Sequence, residues 1–118
     1  MSDRDWKLFV IDMVESTVKI ENYVQGLTHD AFLTDSKTQD AVVRNLEIIG
    51  EAARRIPEEI RRRHPEIPWN QIVGLRNRLA HGYFVIDMEV VWQIAVNELP
   101  ALRKGLEAIL SEERDEGG

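Results

Sequence analysis

The chain has 118 residues, 43% hydrophobic and 31% charged, with no cysteine and a net charge of −6. That balance fits one soluble domain with its own core. It excludes disulfides and thiolate metal sites, and an acidic total argues against a general nucleic-acid coat protein. No apolar run approaches the ~18 residues a membrane span needs, and the polar start from Met1 to Asp5 resembles no secretion signal. A cytoplasmic protein without a membrane partner is expected, as the lack of cysteine suits a reducing compartment. His29, His64 and His81 are scattered without a metal-binding spacing, so no metal or other cofactor is expected.

In chain order, the first helix is predicted from about Trp6 to Gln25. Trp6, Val10, Met13, Thr17, Ile20 and Val24 recur at alternating four- and three-residue steps, flanked by Val14 and Val18. Asp3 or Asp5 can cap its start, and Gly26 fits its end. Thr28 to Leu33 reads as a short turn or helix. A second long helix is predicted from Ser36 to Ile56 after a cap at Asp35, with Val42, Leu46, Ile49, Ala53 and Ile56 as its apolar stripe. Gly50, Ala52 and Ala53 are small enough to let another helix approach. Glu51 beside that stripe either faces a positive zone, is solvated, or pairs with Arg54 or Arg55.

Pro57 ends that helix or starts the next, a short one through His64. Pro68 fits the first turn of a third major helix, with Trp69, Ile72, Leu75 and Leu79 inward and a stop at Gly82. Asp87 caps the last helix, whose stripe is Trp92, Ala95, Leu99, Leu102, Leu106 and Ile109. Pro100 falls inside it and is expected to kink it. The predicted fold is all-α: an up-and-down bundle of four main helices plus one or two short ones. It forms one domain over residues 1–118, with about 112–118 as a frayed acidic tail.

The charge is unevenly spread. Residues 54–78 carry seven arginines against Glu58, Glu59 and Glu66, whereas both flanks are acidic. The positive zone runs into Arg76-Asn77-Arg78-Leu79-Ala80-His81-Gly82-Tyr83-Phe84. On a straight helix, Arg76 and His81 would point about 140° apart. They share a site only if the helix unwinds there or the site lies over its end, and Gly82 permits the unwinding. Asn77, four residues before His81, would lie on the same helical face and could orient the imidazole. A histidine at a helix C-terminus is also favoured by the macrodipole without any catalysis.

These features together resemble the HEPN superfamily, and within it the HepT-like toxin ribonucleases of prokaryotes. The resemblance spans nearly the whole chain. It is carried by the Glu47–Ala53 helix segment, the Ile67-Pro68-Trp69 entry and the run from Arg76 to Tyr83, which looks like the family's Arg-x-x-x-x-His-x-Tyr signature. It implies a homodimeric, metal-independent endoribonuclease acting on RNA, with Arg76 and His81 as the catalytic pair; Asn77, Arg78 and Glu51 are the expected supporting residues beside them. It also implies a partner, a minimal nucleotidyltransferase antitoxin that transfers AMP onto Tyr83. The chemistry is coherent on its own terms. Histidine moves protons near neutral pH, and arginine grips phosphate oxygens with a permanently charged fork. One chain offers one such histidine where an acid and a base are wanted, and a twofold dimer would supply two. The alternative is a non-catalytic HEPN module that binds a nucleotide or a partner protein.

Overall fold

The computed structural model describes the backbone of residues 5–80 and 85–117, and side chains as far as residue 112. Helix α1 spans Trp6–Val24, and the Asp5 carboxylate accepts from the Lys7 amide at 3.0 Å as its cap. Val10, Met13, Thr17 and Ile20 are buried as the periodicity predicts, while Val18 stays exposed. The chain turns at Gly26, whose φ of +79° is the left-handed conformation glycine takes without strain.

Thr28 caps the short α2 (His29–Leu33), accepting from the Ala31 amide at 3.1 Å. Asp35 caps α3 (Ser36–Arg54), accepting from the Thr38 amide at 3.0 Å and from the Thr38 hydroxyl at 2.6 Å. Those two donors hold its carboxyl below the usual carboxylate range. The stripe Val42, Leu46, Ile49 and Ala53 is buried, and so is Ile56 just beyond the helix end. Arg61 covers that end, donating from Nε to the Ile56 carbonyl at 3.0 Å and from a terminal nitrogen to the Arg54 carbonyl at 3.4 Å.

After α4 (Glu58–Arg63), the expected third major helix appears as two short ones, α5 (Trp69–Val73) and α6 (Leu75–Leu79), divided at Gly74. Pro68 stands at the N-cap of α5. Trp69, Ile72, Leu75 and Leu79 are all buried, as their spacing predicts. The Trp69 indole donates to the His64 carbonyl at 3.0 Å and ties the Pro65–Pro68 turn to α5.

Helix α6 stops at Leu79, three residues before Gly82. Ala80 is already extended, with ψ of 139°. It pairs with Ile86 in an isolated antiparallel bridge, and the Asp87 amide donates to the Leu79 carbonyl at 2.8 Å. The stop is therefore enforced by the returning chain rather than by a glycine.

Asp87 caps α7 (Met88–Gln93), as expected. The chain then makes one π-helical turn over Ile94–Glu98 before α8 (Leu99–Gly117). Proline at position 100 has no N–H to continue the α ladder. The disturbance is absorbed one turn earlier, where the Leu99 amide reaches back to the Ile94 carbonyl. Val91, Ala95 and Leu99 are buried at two successive four-residue steps. A regular helix would rotate such positions by about 80° in all, and the widened turn takes up that rotation. Among the described residues the architecture is all-α: α1 packs along α3 and α8, α5 and α6 lie against α3, and α2 bridges α3 and α7. No helix among them is long and apolar enough to cross a membrane.

Candidate active site

The feature that gathers functional side chains is a groove of about 670 Å³. One wall is the start of α1, with Phe9 and Asp12. Its long side is the outward face of α3, with Arg44, Glu47, Glu51, Arg54 and Arg55. The opposite wall is Val73, Leu75, Arg76 and Leu79. Gly50 sets how close those two sides come. A Cβ there would lie 3.2 Å from the Ile72 carbonyl oxygen and 3.8 Å from the Leu75 Cβ. The missing side chain thus lets α5 and α6 rest on α3, which brings Arg76 and Glu51 to one groove.

Six of the groove's charged side chains lack internal partners. Among the described residues, the side chains of Arg44, Glu47, Glu51, Arg54, Arg55 and Arg76 form no hydrogen bond and no ion pair. All six are exposed. Glu51 is thus not the partner of Arg54 or Arg55. Other cations are engaged: Arg62 with Glu58 at 3.5 Å and Arg103 with Glu21 at 3.3 Å.

The run of arginines over residues 54–78 is accordingly not one continuous strip. Arg54, Arg55 and Arg76 reach the groove, whereas Arg61 covers the end of α3. Arg78 is turned away. It holds Glu98 in a two-point pair, at 3.1 and 2.7 Å, over a separate pocket lined by Ile72, Ile94 and Leu102. The Glu98 hydrogen bonds raise its pKa further above the usual arginine range. Arg44 was missing from the sequence-based candidates because it sits in an acidic half of the chain. The signal that would have found it is its seven-residue offset from Glu51, two helical turns along one face.

Asn77 is exposed on α6. His81, Gly82 and Tyr83 lie outside the described residues. The expected i,i+4 relation between Asn77 and His81 therefore also lies outside them; helix α6 itself ends at Leu79. Among the described residues, no group of three or more His, Asp or Glu side chains could hold a metal ion.

The described fold is all-α, with the groove beside the helix that carries Arg76, and comparison with known proteins identifies its class. The chain belongs to the family described as Ribonuclease HepT-like, which it matches over residues 13–109. It is similar to a Thermococcus cleftensis protein named as a probable ribonuclease HepT, 40% identical over 106 residues that cover 90% of this chain and 96% of the relative. Two Methanocaldococcus jannaschii proteins that carry RNase names are each 38% identical. One alignment covers 95% of this chain and 93% of the relative, the other 92% and 100%. No solved structure matches the chain.

Proposed function

We propose that the protein is a metal-independent endoribonuclease, the toxin of a toxin–antitoxin pair, and that Arg76 and His81 carry its reaction at a homodimer cleft. The observation that carries this reading is the groove itself. Arg76 shares it with five other charged side chains that also lack internal partners, an arrangement suited to an external charged ligand. Family membership and the ribonuclease names of its relatives support RNA as that ligand.

In the proposed step, one imidazole removes the proton from a ribose 2′-hydroxyl. The 2′-oxygen attacks the adjacent phosphorus, and the bond from phosphorus to the 5′-oxygen breaks. A second imidazole protonates the departing 5′-oxygen. Arg76 grips the non-bridging oxygens as charge builds on the phosphorane. The products carry a 2′,3′-cyclic phosphate or its hydrolysed form, and EDTA does not inhibit. Cleavage assays with end-group analysis check both outcomes. Loss of activity in EDTA that added metal restores would contradict the mechanism.

The second imidazole comes from a second copy. Of the five large hydrophobic side chains exposed among the described residues, Leu8, Ile11, Val18 and Tyr23 all lie on α1, the helix that walls the groove. That surface favours a partner copy beside the site. Light scattering is expected to give about twice the 13.6 kDa chain mass. Ile11→Asp shifts the protein toward monomer and lowers cleavage in parallel. A monomeric protein that cleaves RNA at full rate would defeat the shared-cleft reading.

The proposed partner is a cytoplasmic minimal nucleotidyltransferase that transfers AMP to Tyr83. The added bulk and negative charge would sit two residues from His81 and repel RNA phosphates. Incubation with the neighbouring nucleotidyltransferase, ATP and Mg²⁺ is expected to add one AMP to the intact mass and silence cleavage. A Tyr83→Phe protein silenced with the same added mass would remove Tyr83 as the acceptor.

A further inference from the structure

Arg76 sits on a very short helix. Helix α6 is five residues long, follows Gly74 and has no side-chain N-cap. Such short helices do not stand alone in water. Leu75 and Leu79 bury one face. Arg76 and Arg78 are two residues apart, so they project about 160° from each other. One reaches the groove and the other reaches Glu98.

Glu98 is the last residue of the π-helical turn, directly ahead of α8. One residue inserted into a helix rotates every later residue by about 100°. The turn that accommodates Pro100 therefore also decides where Glu98 points. Both of its carboxylate oxygens are used: Oε1 accepts from one Arg78 nitrogen at 3.1 Å and Oε2 from the other at 2.7 Å. A two-point pair of this kind fixes direction as well as distance. Arg78 is 32% exposed and Glu98 43%, so the pair adds little to global stability. Its geometric effect falls on the short helix.

We propose that Glu98 is a positioning residue: through its two hydrogen bonds to Arg78 it anchors α6 to the start of α8 and so fixes where Arg76 meets the phosphate. The proposal rests on the ribonuclease reading for its catalytic readout. Its structural readout does not depend on that reading. The anchor also steadies the end of α6, where the Asp87 amide bonds to the Leu79 carbonyl.

The test uses Glu98→Gln, Arg78→Glu and the exchanged pair Arg78→Glu with Glu98→Arg, each against the parent dimer. Glu98→Gln is expected to lower kcat by about 10- to 100-fold, the scale of an ångström-sized misplacement of a reacting group, with KM and melting temperature nearly unchanged. Arg78→Glu loses at least as much, and the exchanged pair recovers most of the loss. Hydrogen exchange at the Asp87 amide speeds up in Glu98→Gln and slows again in the exchanged pair. Parental kcat and exchange in Glu98→Gln would overturn the proposal. So would an exchanged pair as slow as Arg78→Glu alone, since Arg78 would then be meeting RNA itself. If the parent cleaves no RNA, the ribonuclease reading fails, and the exchange measurement alone decides whether the anchor exists.

Discussion

A folded His81→Ala protein is expected to cleave RNA ~10²–10⁴-fold more slowly than its parent, the usual worth of positioned acid–base groups. The fold should be indifferent to the change. The stem beneath position 81 is held by backbone groups, through the Ala80–Ile86 bridge and the bond from the Asp87 amide to the Leu79 carbonyl. Circular dichroism and melting temperature are therefore expected to match the parent. Arg76→Lys is expected to give a second, different loss, because it keeps the charge but gives up the proposed two-point grip on phosphate. With one imidazole as base and its counterpart as acid, the rate peaks near neutral pH and falls on both sides. Full activity in folded His81→Ala would end the proposed mechanism, whatever Arg76 does.

Phe32→Ala is expected to cost about 3–5 kcal/mol of stability, a large share of the ~5–15 kcal/mol typical of a whole domain. Phe32 is fully buried, and its ring lies 5.2 Å from that of Trp92. It is the one buried residue of α2, so its loss detaches that helix from α3 and α7 together. The His29–Glu89 contact, 2.9 Å and solvent-exposed, is too weak to replace it. Urea titration should show a lower midpoint with an unchanged slope. A loss below about 1 kcal/mol, the range of ordinary substitutions, would mean that α2 is not held through this ring.

The long helices were legible because burial acts on a repeated spacing. Val10, Met13 and Ile20 on α1, and Val42, Leu46 and Ile49 on α3, show it plainly. Their caps at Asp5 and Asp35 were legible too, since a short acidic side chain before an apolar stripe has few other uses. The split at Gly74 was hidden, because Trp69, Ile72, Leu75 and Leu79 keep one helical phase across it. The π-helical turn was announced only by its paired four-residue steps, and Pro100 suggested a kink instead.

At the site, Arg76 and Glu51 could be nominated from their neighbours in sequence. Arg44 could not be found from local charge, because its role depends on which helices face each other. The destination of Arg78 was equally hidden, since Glu98 lies twenty residues away and its direction depends on the widened turn. The end of α6 was misplaced because a glycine is visible in a sequence while a returning chain that pairs with Ala80 is not.

The clearance at Gly50 implies that the groove's width is set by a single hydrogen atom. The Ile72 carbonyl that would meet a Cβ there belongs to the backbone of α5. It cannot turn aside as a side-chain tip could, so a Cβ at position 50 requires the backbone of α5 to give by a few tenths of an ångström. Residues at this position therefore act as graded spacers between the two banks of charge. The gap between Arg76 and the α3 arginines can be widened in small steps while every charged residue keeps its identity.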